Sequence, residues 1–282
     1  MSAGGFHRIH YTDWGSPDAE RVVICVHGLT RNCRDFDFLA QALASDFRVV
    51  CPDVAGRGQS DWLPNKDDYA YPQYCADMTA LMARVTAGGG PRKIYWVGTS
   101  MGGIIGMLLA SRRGSPIERM VVNDVGALVS KAAVERIGAY VGKDPRFKTL
   151  AELEALVRVV HAPFGALTDA QWRHLTVTGA RQHADGSWGF AYDPGIAAAF
   201  RRAPAAEVDL WTFWGAVSCP TLLLRGAQSD LFEKDTALKM TRRGPQTRLV
   251  EFEGVGHAPA LMSDEQIRAV RDFLLEPGTG NN

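Results

Sequence analysis

The sequence predicts an α/β fold with a mostly parallel central sheet flanked by helices, and three observations predict it. Short apolar runs rich in branched residues recur along the chain: RVVICV (21–26), FRVVC (47–51), KIYWV (93–97), RMVV (119–122), TLLL (221–224) and RLVEF (248–252). These runs are continuously apolar rather than alternating, as strands covered on both faces are. Between them lie segments with helical spacing, such as Phe36, Leu39, Ala40 and Leu43, then Tyr74, Met78, Leu81, Met82 and Val85. Strands that alternate with helices form a parallel sheet.

The opening stretch FHRIHYTDWG alternates more and ends in a Gly-Ser-Pro turn at 15–17, which predicts an antiparallel hairpin on one sheet edge. From 128 to 217 the strand rhythm stops. SKAAVERIGAYV, TLAELEALVRVV and TDAQWRHLTV read as three helices, followed by the irregular ADGSWGFAYDPG. Capping boxes are expected at Thr149 with Glu152, Thr168 with Gln171 and, opening the last helix, Ser263 with Gln266. The chain therefore divides into a core (1–127), a helical cap (128–217) and the rest of the core (218–282). The cap is inserted after the sixth strand, between the fourth and fifth major parallel ones, and the tail EPGTGNN is expected to fray.

Composition narrows the function. The chain has 282 residues, 46% of them hydrophobic, with 31 basic and 31 acidic side chains. A net charge of zero and isolated Arg pairs at 112/113, 201/202 and 242/243 give no basic stripe for nucleic acid. The first fifteen residues hold no signal-type apolar run, and no run approaches the roughly 20 residues of a membrane span, so a cytoplasmic protein without membrane partners is expected. Five cysteines, at 25, 33, 51, 75 and 219, never fall in a C-x-x-C pair, which predicts reduced thiols and no metal site.

Gly98-Thr99-Ser100-Met101-Gly102 matches G-x-S-x-G with a buried strand before it and an apolar helix after it. Small neighbours let so sharp a turn close and present the hydroxyl as a nucleophile, although serine is also a common helix N-cap. A nucleophile needs a base and oxyanion donors. The loop VHGLT places Leu29 just past a strand's carboxyl end, so the backbone N–H groups of Leu29 and Met101 are the expected donors. His257, in EGVGHAP after the last strand, is the expected base. Asp230, after TLLLRG, gives the chain order Ser, Asp, His and is the favoured acid; Asp124, in VVNDVG after the preceding strand, is its rival.

With these motifs in place, the chain resembles the α/β-hydrolases with a helical cap: HGLT, GTSMGG, RGAQSD and GVGHAP appear in that family's order over nearly the whole chain. PDVAGRGQSD is similar to the family's turn in which Asp53, Gly56 and Gly58 shape a loop, making Ser60 structural. A serine at the nucleophile position sets the chain apart from the dehalogenase and epoxide hydrolase branches. By the same resemblance His27 packs the loop.

The expected chemistry is acyl transfer through an acyl-enzyme, with no cofactor and no metal, on a small or medium-sized carboxylic ester. Alternatives are a carbon–carbon bond in a vinylogous diketone acid, an amide, lactone or thioester, or a binding module on the same fold. Substrate identity is expected to lie in the cap, where Phe164, Trp172, Trp188, Phe190, Tyr192, Trp211, Phe213 and Trp214 could roof a pocket. Trp188 and Tyr192 are the candidate contacts there, and Arg31 could pair with a substrate carboxylate. His161, His174 and His183 have no ligand-like spacing.

Overall fold

A computed structural model describes residues 1–2, 4–87, 92–202 and 204–277; the end of the tail expected to fray lies outside them. The chain opens with β1 (Tyr11–Trp14), β2 (Arg21–Val26), α1 (Asp37–Leu43), β3 (Arg48–Pro52) and α2 (Tyr71–Thr86). β4 (Lys93–Thr99), α3 (Met101–Ala110) and β5 (Ile117–Asn123) follow. Then come the short β6 (Leu128–Val129), α4 (Lys131–Tyr140), α5 (Leu150–Val160), α6 (Asp169–Gly179), β7 (Ala180–Gln182) and β8 (Trp188–Phe190). α7 (Ala198–Arg201), β9 (Val208–Asp209), α8 (Trp211–Ala216), β10 (Thr221–Gly226), α9 (Lys234–Met240), β11 (Thr247–Phe252) and α10 (Asp264–Leu275) complete it.

The main sheet has seven strands in the order β1-β3-β2-β4-β5-β10-β11, all parallel except β1. β2 explains why the runs are unbroken: Val22, Ile24 and Val26 join a core with Met78, Trp96 and Ile105, while Val23 and Cys25 join another with Leu39, Leu43 and Val270. Successive side chains point to opposite faces, and helices cover both, so every position from 22 to 26 is apolar.

The amino-terminal stretch differs from the expected hairpin. It gives a single strand that skips its chain neighbour β2 and pairs antiparallel with β3, Tyr11 opposite Pro52 and Trp14 opposite Val49. β2 is already flanked by β3 and β4, whereas β3 offers its outer edge. The helical insertion consequently follows the fifth strand of the main sheet, not the sixth. The three helices read from 128–217 are α4, α5 and α6, but the segment read as irregular contains β8, which pairs antiparallel with β7 just before it. Strands of three residues are too short to show a period.

Of the three capping boxes, the one at Thr168 and Gln171 is reciprocal. Thr149 and Ser263 each accept from the expected backbone N–H, yet Glu152 turns to the N–H of Lys148 and Gln266 to that of Leu261. Cys25, Cys33, Cys51 and Cys219 are buried free thiols, and Cys75 is half-buried. Among the described residues no helix is long and apolar enough to cross a membrane.

Candidate active site

The register brings the carboxyl ends of β2, β4, β5, β10 and β11 to one level: Val26 lies opposite Gly98, Asn123 opposite both Thr99 and Leu224, and Gly226 opposite Phe252. The loops that leave these strands carry His27, Ser100, Asp124, Ser229 and His257.

Ser100 directly follows β4 with φ 52° and ψ −113°, a conformation that residues with a side chain rarely adopt. The turn closes because Gly98 and Gly102 have no side chain: a Cβ on Gly98 would strike the Gly102 carbonyl, and one on Gly102 the Val26 carbonyl. Ser100 occupies the N-cap position of α3, yet its hydroxyl caps no N–H. It lies instead 3.0 Å from His257 Nε2. The helix-capping reading therefore has no hydrogen bond behind it.

Behind the histidine the structure departs from the expected acid. His257 Nδ1 is 2.7 Å from Asp124 Oδ2. Asp124 is fully buried, with φ 57°, at the end of β5. Its carboxylate also accepts from Gly226 N (2.9 Å) and from the Ser229 hydroxyl (2.6 Å). Asp230 is largely exposed and pairs with Arg136 of α4. The reason is local: the β10–α9 loop closes over Asp124 through Gly226 and Ser229, and Ser229 in turn accepts from Leu231 N and Phe232 N, which leaves the residue between them facing outward. Asn123 ties the assembly together, donating to Thr99 Oγ1 (3.0 Å) and to the Pro259 carbonyl (2.8 Å) on the His257 loop.

Among the described residues the N–H groups of Leu29 and Met101 meet no acceptor within the protein. The loop that carries Leu29 is held by two buried side chains. His27 receives the Val54 N–H on Nε2 at 2.9 Å, so Nδ1 carries the proton and donates to the Gly28 carbonyl at 2.7 Å. Burial, above all, lowers its pKa to about 4; the Asp53 charge opposes the shift and the Arg57 charge adds to it. Arg57, also fully buried, donates to the carbonyls of Leu29 (2.9 Å) and Ala55 (2.7 Å) and to the Tyr74 hydroxyl (2.9 Å), and it reaches Met101 Sδ at 3.7 Å. Among the described residues no carboxylate pairs with it; Tyr69 and Tyr74 face the cation with their rings instead. It thus touches both residues whose N–H groups are free.

Asp53 is structural, as read. Its carboxylate accepts from Cys33 N, Gln59 N and His10 Nδ1, and Ser60 donates to its carbonyl. His10, Cys33 and Asp53 converge within 4.8 Å, but the carboxylate is already occupied by the turn it holds. These residues are the frame of the loop.

Ser100 and His257 open into a cavity of about 850 Å³ whose walls come from both the core and the insertion. Of the aromatic residues expected to form a roof, Phe164, Phe190 and Tyr192 line it. Tyr192 is buried, and its hydroxyl donates to the Lys143 carbonyl at 2.8 Å. Trp188 does not reach the cavity: β8 turns it into the cluster of Leu153, Val157 and Trp172. Trp214 is fully buried, its indole N–H donating to the Arg243 carbonyl. Arg31 lies in the cavity wall, but Asp35 takes its guanidinium at 2.9 and 2.6 Å, so the fork expected to meet a substrate carboxylate is already filled. His161 stands 3.3 Å from Arg31, and burial together with that charge lowers its pKa.

Residues 23–270 match the family model described as "Alpha/beta hydrolase family". The chain is 46% identical to a 3-hydroxybutyrate-oligomer hydrolase of Cupriavidus necator, with 97% of this chain and 95% of that protein covered. It is similar to the crystal structure of a putative hydrolase from Rickettsia typhi (TM-score 0.88, 32% identity, 95% of this chain and 91% of that one). It is also similar to an α/β hydrolase from Novosphingobium aromaticivorans (TM-score 0.85, 35% identity, 97% and 95%). By the extent of these matches, the chain belongs to the α/β-hydrolase family.

Proposed function

We propose that the protein is a serine esterase, and the observation that carries this reading is the unbroken line Ser100 Oγ, His257 Nε2, His257 Nδ1, Asp124 Oδ2 beside two unpaired N–H groups. His257 removes the Ser100 proton as the oxygen attacks an ester carbonyl, and Leu29 and Met101 N–H groups hold the oxyanion. The imidazolium, stabilised by Asp124, then protonates the departing alcohol. A water molecule, deprotonated by His257 in turn, releases the acid and restores the serine.

The substrate we infer is an ester of a small hydroxy acid, of the kind in the name of the relative that is 46% identical. A cavity of about 850 Å³ suits a molecule of that size. The segment 128–217 acts as the cap that closes this cavity, with Tyr192 among the substrate contacts.

Two measurements test the reading. A fluorophosphonate probe is expected to label the native protein at Ser100 and not Ser100→Ala. Purified enzyme is expected to release 3-hydroxybutyrate from its linear oligomers; preferential cleavage of a formamide, acetamide or diketone acid would replace the ester with another acyl bond on the same serine.

A further inference from the structure

Ser100 faces two cavities, not one. Besides the first, a second of about 790 Å³ also reaches Ser100, Leu29, Ile137 and Leu231. The two have different walls. The first is bordered by His257 and carries more of the charge, some of it on buried or half-buried residues: Arg31, Asp35, Arg136, Lys143, Asp144 and Asp230. Lys143 alone of these makes no ion pair among the described residues. The second is not bordered by His257; it runs past Met101 between tyrosines of the core and apolar residues such as Ile104, Val125, Val134 and Phe200. Its charged lining, Glu135, Arg202 and Glu207, is exposed to solvent.

The reaction assigns the two cavities, and this step rests on the esterase reading above. A carbonyl carbon bonded to Ser100 Oγ has three other substituents. The oxyanion lies at the Leu29 and Met101 N–H groups. The leaving oxygen must come within hydrogen-bond reach of His257 Nε2, the atom that returns the proton as the carbon–oxygen bond breaks. The acyl chain takes the direction that remains.

We propose that the alcohol half of the substrate occupies the charged cavity beside His257, and that the acyl half occupies the apolar cavity beside Met101. The enzyme therefore prefers esters with an uncharged, apolar acyl chain and accepts a carboxylate on the alcohol. The energetic reason is desolvation. A carboxylate among Ile104, Val125 and Phe200 would lose its water and find no partner, whereas the Lys143 side of the first cavity offers both.

The test compares p-nitrophenyl acetate with the octanoate, and butyrate esters of a hydroxy acid with monoesters carrying the carboxylate on the acyl half. Wild-type enzyme is expected to favour the carboxylate on the alcohol half by at least roughly tenfold in kcat/KM. Ile104→Trp, which narrows the second cavity, and Phe200→Ala, which opens its half-buried wall, are each expected to change the octanoate-to-acetate ratio by roughly tenfold. Val160→Trp, in the first cavity, is expected to leave that ratio unchanged and to alter the preference for the alcohol. If Val160→Trp instead sets acyl length, or the acyl-side carboxylate is preferred, the assignment is overturned while the esterase stands. Turnover of none of these esters by a protein that still labels at Ser100 defeats both.

Discussion

Ser229 donates its hydroxyl to Asp124 at 2.6 Å, so the loop expected to supply the triad acid supplies a donor to it instead. The carboxylate that faces His257 comes from β5, and Asp230 lies outside, paired with Arg136.

Asp124→Asn is therefore expected to lower kcat by about a thousandfold or more, because the amide cannot stabilise the imidazolium or fix its tautomer. Asp230→Asn, which breaks only an exposed ion pair, is expected to change kcat less than about twofold. Steady-state kinetics on one ester decide it; the reverse ranking returns the acid to the β10 loop.

Ser229→Ala removes one of the donors to the buried Asp124 carboxylate, and it also frees the N–H groups of Leu231 and Phe232. Urea denaturation is expected to show a loss of about 1–3 kcal/mol, since charge-assisted bonds are the stronger kind. A stability equal to wild type would mean that the loop repacks.

Arg57→Met takes the donor from Leu29 O, Ala55 O and Tyr74 Oη together. Because Arg57 positions the loop rather than the substrate, kcat is expected to fall by roughly tenfold or more with KM little changed. Arg57→Lys, which keeps the charge but not the fork, is expected to fall between the two. A change confined to KM would place the effect on binding.

His27 gives the protein an acid-sensitive joint. Its folded pKa, about 4, lies below the ordinary 6.5, so as pH falls the unfolded chain takes up the proton first and the folded state loses stability. This contribution is absent above about pH 7, grows between pH 6.5 and 4, and reaches about 3 kcal/mol at the lower end. The buried His161, also shifted down, adds in the same direction. Denaturation across this pH range measures the slope, and an NMR titration with a His27 midpoint near 6.5 would falsify the assignment.

The sequence by itself determined the parallel sheet, its helices, the serine turn and the histidine loop. Each of these is written locally: unbroken apolar runs such as RVVICV need two covered faces, and GTSMGG needs a turn in which Gly98 and Gly102 have no Cβ. Tertiary structure decided which of two equally placed carboxylates meets His257, because that depends on how the β10 loop folds over β5. It decided that β1 pairs with β3, since the free edge belongs to the finished sheet. It turned Trp188 away from the cavity and filled the fork of Arg31 with Asp35. Arg57 shows the same limit: nothing in GRG announces a cation that will lie buried against Leu29 and Met101, residues 28 and 44 positions away along the chain.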